Sequence, residues 1–197
     1  CIKHYKKCQV TALTGCAALL LDCQAKTIHS WAGINIKNFD LNVNLVRIKN
    51  KKKVSNWTDI DVLIVDEISM MSPELLELLD SIGKIIRGND KPFGGIQLIF
   101  SGDFFQLPPI NKTYSEKKFC FESDLWDKTF SKIHMLTKIY RQEDKEFSKI
   151  LNEVRIGKLR KSTADVLNSR VIPYENNNNI IPTTILPKIN DVKYIMT

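Results

Sequence analysis

Val62-Leu63-Ile64-Val65-Asp66-Glu67 is a solid aliphatic run that ends in two carboxylates. Its apolar positions do not alternate with polar ones, the pattern of a strand covered on both faces, and such strands belong to parallel sheets whose crossovers lay helices over each side. In an open α/β sheet, ligands bind outside the carboxyl ends of the strands. Asp66 and Glu67 are therefore expected at a ligand crevice.

The rest of the chain keeps this rhythm. Strands are expected at 9–13, 62–65, 96–100, 133–136 and 183–186, with longer helical segments between them. The clearest helix begins at Ser72-Pro73-Glu74, where serine caps, proline suits the first helical position and glutamate complements the dipole. It runs to about Arg87 with Leu75, Leu76, Leu78, Leu79 and Ile82 on one face, and Gly88 stops it. A second helix from about Lys145 carries Phe147, Ile150, Leu151 and Val154 at helical spacing and ends before Gly157. No internal repeat is present, which removes solenoids and propellers. The polar, Asn-rich stretch 175–179 reads as a linker, so one α/β domain is expected over 1–180 and the start of a second, truncated unit over 181–197.

Other classes fall away. The longest purely apolar stretches have five residues, such as 17–21, against the roughly 18 that span a bilayer, so no membrane helix is expected. The five cysteines are odd in number and contain no CxxC pair, and the three histidines lie far apart. A disulfide framework and a structural zinc site are both disfavoured, and reduced thiols fit a cytosolic or nuclear setting. The net charge of +7 is uneven: residues 1–60 hold ten Lys or Arg against three acids, while 61–197 hold nineteen of each. Lys3, Lys6, Lys7 and the run Lys49, Lys51, Lys52, Lys53 suit a phosphate backbone, although a solvated lysine face accounts for them too.

Chemistry concentrates at the expected strand ends. A strand followed by Asp66-Glu67 is a Walker B pattern, in which Asp66 holds Mg²⁺ through its water shell and Glu67 deprotonates the attacking water; the plainer role is an acidic cap after a strand. After 97–100 comes Ser101-Gly102-Asp103-Phe104-Phe105-Gln106-Leu107-Pro108-Pro109. The Gln106 amide can donate to a γ-phosphate oxygen and accept from water, so it suits a phosphate sensor, whereas Phe104, Phe105 and Leu107 read as packing. Arg141, expected just past a fourth strand, can fork onto phosphate oxygens as an arginine finger or form a surface ion pair.

Taken in order, Val10-Thr11-Ala12-Leu13-Thr14-Gly15 with Ala17-Ala18, then Thr27-Ile28-His29-Ser30-Trp31-Ala32-Gly33-Ile34, VLIVDEISMM, PFGGIQLIFSGDFFQLPP, FCFESDLW and LTKIYRQ strongly resemble the Pif-one type DNA helicases of superfamily 1B. The match runs from about Gln9 to Lys158, with a weaker echo at 183–196. The resemblance implies RecA-like P-loop NTPase domains and an ATP- and Mg²⁺-dependent motor. It would move 5′ to 3′ on single-stranded DNA and unwind duplexes, forks or G-quadruplexes in repair, recombination and telomere maintenance. It implies Asp66 as Mg²⁺ ligand, Glu67 as catalytic carboxylate, Gln106 as γ-phosphate sensor and Arg141 as interdomain arginine. The strand-contacting motif falls on Thr14-Gly15 and His29-Ser30. The Thr14 hydroxyl and Gly15 amide suit phosphate, and His29 or Trp31 a sugar or base, unless Thr14 only caps a helix and Trp31 is core.

The family usually reads APTG where this chain has Ala12-Leu13-Thr14-Gly15, so the DNA-facing loop is expected to be looser. No GxxxxGK[ST] occurs; the chain is expected to open in the helix after that loop and to be inactive on its own. An internal piece of a working helicase is the first reading. A non-catalytic nucleic-acid-binding relic, and a P-loop-fold interaction module without nucleic acid, are the alternatives. A nuclear protein is expected, with a mitochondrion or a viral factory as other settings.

Overall fold

The computed structural model describes residues 7–21, 23–110, 118–171 and 185–186. The chain divides into two compact units, Cys1–Arg141 and Gln142–Thr197.

The first unit is built on a four-stranded, all-parallel sheet of order β2-β1-β3-β4. The strands are β1 (Cys8–Ala12), β2 (Lys26–Thr27), β3 (Val62–Asp66) and β4 (Gln97–Phe100). Four helices precede β3: α1 (Gly15–Leu20), α2 (Ile28–Ala32), α3 (Leu41–Asn50) and α4 (Val54–Thr58). The α5 helix (Pro73–Arg87) joins β3 to β4, and α6 (Asp124–Thr129) follows β4. The α/β class read from the aliphatic runs is borne out. β3 is one of its two inner strands, and its Val62, Leu63 and Val65 are buried, as an unalternating run requires.

Helix α5 forms as its sequence dictates. Ser72 Oγ accepts from the Leu75 N–H at 3.2 Å, Pro73 opens the helix, and Gly88 closes it in the left-handed region at φ 58. Its Leu75, Leu76, Leu78, Leu79 and Ile82 join Leu63 and Val65 of β3 in one core with Ile28, Trp31, Trp57 and Phe93. Each such side chain contributes about 1.5–3 kcal/mol on leaving water. Trp31 of α2 and Trp57 of α4 meet at 4.8 Å between ring centroids.

Two strand expectations need correction or fall outside. Residues 133–136 form no strand: Ile133, Met135 and Leu136 are 80%, 86% and 93% exposed. A strand exists only as a partner in a ladder, and among the described residues β4 pairs with β3 alone, so its outer edge stays open and 133–136 does not add to it. Arg141 therefore follows an unpaired segment rather than a parallel strand. The strand expected at 183–186 lies outside the described residues except for Ile185 and Leu186, which are not in a strand.

The second unit contains α7 (Lys145–Arg155) and α8 (Lys161–Asn168). Asp144 caps α7, accepting from the Glu146 and Phe147 N–H groups at 2.8 and 3.0 Å. Glu153 ties the two helices: its carboxylate accepts the Arg160 N–H at 3.0 Å and pairs with Arg160 Nε at 3.3 Å. The Arg160 N–H, then the Thr163 hydroxyl and the Arg160 charge hold its carboxyl below the usual carboxylate range.

Candidate functional site

The strand order changes direction between β1 and β3. From β1 the chain winds outward to β2, whereas from β3 it winds the opposite way to β4. The carboxyl ends of β1 and β3 therefore carry their connections apart and leave a crevice between them, the usual ligand position in an open α/β sheet. The ladder holds the rim in register. Ala12 faces Asp66, and the Leu13 N–H donates to the Asp66 carbonyl at 3.2 Å.

The segment after β4 is fastened to the same rim. The Ser101 N–H donates to the Val65 carbonyl at 2.9 Å, and the Ser101 carbonyl accepts from the Ile68 N–H at 3.1 Å. Gly102 permits this approach, because a Cβ there would lie 2.8 Å from the Ile68 nitrogen. Phe104 then packs edge-on against Phe119, Phe121 and Trp126, with centroids 4.7–6.1 Å away, which anchors the loop that carries Gln106. The packing role read for Phe104 holds, while Phe105 and Leu107 are 61% and 71% exposed.

The crevice is a cleft of about 440 Å³ whose walls include Thr14, Asp66, Glu67, Ser69, Gln106 and Arg141, with Leu20, Met70 and Leu107 as its apolar lining. That volume suits a small-molecule site. All four residues assigned to the nucleotide, Asp66, Glu67, Gln106 and Arg141, thus meet in one place, together with Thr14 from the DNA set. Gly15, His29 and Ser30 are not on its walls.

Several groups in this cleft lack protein partners. Glu67 precedes a short 3₁₀ turn, Ile68–Met70, yet its side chain caps nothing, so the plainer capping role does not apply. Its backbone sits at φ 59, ψ 41, in the left-handed region, a conformation that costs a non-glycine residue about 1–2 kcal/mol and that gathers at functional sites. Arg141 forms no ion pair among the described residues. Ser69 is 1% exposed and its Oγ has no partner; such an orphaned group costs about 1–3 kcal/mol unless something bound satisfies it.

Gln106 is held differently. Its N–H donates to the Asp103 carbonyl at 2.9 Å and its Nε2 to the Asp103 carboxylate at 3.3 Å. One Nε2 hydrogen and the Oε1 acceptor remain for a ligand. Asp103 and Ser69 were missed by sequence reasoning. An acid three residues before Gln106 was a legible signal for Asp103; the burial of Ser69 depends on long-range packing and left none.

The DNA-directed residues are placed unevenly. Thr14 caps α1, its Oγ1 accepting from the Ala17 N–H at 3.1 Å, which leaves the hydroxyl hydrogen free to donate. His29 is half-buried on α2, and loss of solvent lowers its pKa; Ser30 beside it is exposed. Trp31 is 1% exposed against Trp57. Its ring is core and has no face for a base, so stacking by Trp31 is ruled out.

No cluster of three or more His, Cys, Asp or Glu suited to a metal occurs among the described residues. A Mg²⁺ ion keeps most of its waters and takes one or two carboxylates plus substrate phosphates, and the unpartnered Asp66 and Glu67 carboxylates on the cleft wall fit that kind of ion.

Comparison with known proteins finds several relatives. The family model described as PIF1-like helicase matches residues 2–165. The chain is 39% identical over 187 residues to the ATP-dependent DNA helicase RRM3 of Saccharomyces cerevisiae, covering 93% of this chain and 26% of that protein. Among solved structures, the Pif1 helicase from Candida albicans superposes with a TM-score of 0.84 at 36% identity, covering 96% of this chain and 43% of that one. The Bacteroides Pif1 helicase in complex with ADP-AlF3 and ssDNA gives 0.75 at 31%, covering 96% and 46%. The chain thus spans about a quarter of the length of the yeast relative.

Proposed function

The chain belongs to the PIF1-like helicase family, and from that premise we propose that it is the part of an ATP-dependent DNA helicase that hydrolyses Mg-ATP and passes the energy to a bound single strand. The observation that carries this reading is the convergence of Asp66, Glu67, Gln106 and Arg141 on one cleft, with both carboxylates and the guanidinium unpartnered.

The roles follow from chemistry. Asp66, at the end of β3, offers a carboxylate to hydrated Mg²⁺, which supplies charge neutralisation for the phosphates when bound. Glu67 takes the proton from the attacking water. Gln106, steadied by Asp103, keeps one amide hydrogen for the γ-phosphate, and Arg141 offers a fork of donors to the charge that builds on the transferred group. Thr14 stands on the rim of the same cleft, and with Gly15, His29 and Ser30 it is assigned to the DNA backbone. An element that touches both ligands is what a motor needs, because each then biases the other.

The proposal extends to 5′-to-3′ translocation and to unwinding of forked or G-quadruplex DNA. Residues 1–180 form the first motor domain in this reading and 181–197 open the second. Nuclear work in repair, recombination and telomere maintenance belongs to the same proposal and rests on the family alone. The test is strand displacement by the full-length protein on labelled partial duplexes with a 5′ or a 3′ single-stranded tail. ATP-dependent release from the 5′-tailed substrate alone supports the reading. Binding to both without release, and without ATP hydrolysis, overturns it in favour of a non-catalytic DNA-binding protein.

A further inference from the structure

Helix α3 ends in a run of cations. Between residues 23 and 58 the charged side chains are Lys26, Lys37, Arg47, Lys49, Lys51, Lys52 and Lys53 against Asp40 alone, and Asp40 is engaged as the α3 cap, its Oδ1 accepting from the Val43 N–H at 2.8 Å. Lys49, Lys51 and Lys52 are exposed. None of the four lysines from 49 to 53 has an ion pair among the described residues, and Arg47 Nε is buried with no acceptor.

The turn that presents them is closely defined. The Lys52 N–H donates to the Lys49 carbonyl at 3.0 Å and the Lys53 N–H to the Ile48 carbonyl at 2.9 Å, the paired bonds of a Schellman motif. Its left-handed position normally takes glycine; here it is Lys52, at φ 54. Cations in the last turn of a helix are favourable, which accounts for Arg47 and Lys49. It does not account for three successive lysines beyond the helix, one of them in backbone that L side chains rarely adopt.

The turn is also locked to α2. Lys53 Cβ lies 3.1 Å from where a Cβ on Gly33, the α2 cap, would stand. Asn56 Nδ2 donates to the Trp31 carbonyl at 2.6 Å and Trp57 Nε1 to the Ala32 carbonyl at 3.2 Å. The lysine turn and the helix that carries His29 and Ser30 are therefore one rigid body. What the turn lacks is an aromatic face: Trp57, the single ring between 49 and 58, is fully buried. Single strands are held by charge together with exposed rings on which bases stack. Charge without rings suits paired DNA, whose bases are hidden and whose backbone carries a charge every ~1.7 Å.

We propose that Lys49, Lys51, Lys52 and Lys53 form a second nucleic-acid surface that grips the phosphate backbone of duplex DNA, distinct from the single-strand residues Thr14, Gly15, His29 and Ser30 and held rigidly to the helix that carries the last two. The inference takes its polymer from the DNA-motor reading above. It is tested by fluorescence anisotropy of the full-length protein on a labelled blunt duplex and on labelled oligo-dT, over a salt series. Replacing the four lysines together by glutamine is expected to weaken duplex binding at least tenfold and to flatten its log-affinity against log-salt slope by about 2–4. Oligo-dT binding stays within twofold, and the matching four-arginine variant restores the duplex. Lys52→Gly alone relieves the backbone, so it is expected to melt no lower than wild type while binding duplex several-fold more weakly. Unchanged duplex affinity and slope in the glutamine variant overturn the proposal, as does an equal loss on oligo-dT. Failure of the motor reading looks different: no strand displacement from either tailed substrate, with lysine-dependent duplex binding intact.

Discussion

Asp103 holds Gln106 at two points, main-chain N–H to carbonyl at 2.9 Å and side-chain Nε2 to carboxylate at 3.3 Å. The carboxamide that would sense a γ-phosphate is thus aimed before any ligand arrives. Asp103→Ala removes the second contact and frees the amide to rotate. In the full-length protein kcat for ATP is expected to fall about tenfold, equivalent to about 1.4 kcal/mol of barrier, with KM and melting temperature little changed. Asp103→Asn, which keeps an acceptor oxygen, is expected to recover most of the loss. Steady-state kinetics of both variants check it, and an unaltered kcat in Asp103→Ala would remove Asp103 from the site.

Gly102 is the point where the loops after β3 and β4 touch. A Cβ there would stand 2.8 Å from the Ile68 nitrogen and 2.9 Å from its Cγ1, so Gly102→Ala must push the two loops apart. The expected cost is about 1–3 kcal/mol, or a drop of roughly 2–4 °C in Tm per kcal/mol for a chain of this size. Thermal melting measures it, and ATPase activity is expected to fall with it.

Much of this arrangement was readable from residue order. β3 follows an apolar run too solid for a half-exposed strand, β1 and the half-exposed β4 follow shorter or more mixed runs, and α5 follows Ser72-Pro73 and Gly88, where capping chemistry is local. β2 was not readable: Lys26–Thr27 is polar, two residues long, and exists only because Thr11 and Ala12 offer it a ladder. The error at 133–136 has the same root, since apolar composition does not decide whether a segment pairs with the open edge of β4. The residues proposed for the nucleotide were legible because Asp66 closes β3 and Glu67, Gln106 and Arg141 follow strands or apolar runs. Trp31 stayed ambiguous because its burial depends on Trp57, whose place comes from tertiary packing.

His29 is expected to give the fold a pH dependence. Loss of solvent lowers its pKa from the ordinary histidine value of 6.5, so below that value the unfolded chain binds the proton more readily than the folded one. Stability therefore rises with pH through the window between the lowered folded pKa and 6.5, and falls on acidification. Melting curves between pH 5 and 8 are expected to slope less in His29→Gln than in wild type over that window. Equal slopes would mean that His29 stays solvated.

The cysteines are expected to separate by reactivity. Burial pushes the Cys120 thiol up to about 12 and raises that of Cys8, with a smaller contribution from Cys23; Cys16 and Cys23 are exposed. In a Cys1→Ser background, a thiol reagent at neutral pH is expected to label Cys16 and Cys23 quickly, Cys8 slowly, and Cys120 only on unfolding. Peptide mapping of the labelled sites reads the order. Fast labelling of Cys120 would contradict its place in the core.

The central claim is that Glu67 activates water for ATP hydrolysis in a DNA-driven motor. The most direct measurement is ATP turnover by the full-length protein and its Glu67→Gln variant, with and without oligo-dT, alongside nucleotide binding. The account expects turnover stimulated by the single strand, a loss of about 10²–10⁴-fold in Glu67→Gln, and ATP binding retained. Full turnover in Glu67→Gln, or hydrolysis indifferent to DNA in the wild type, would contradict it.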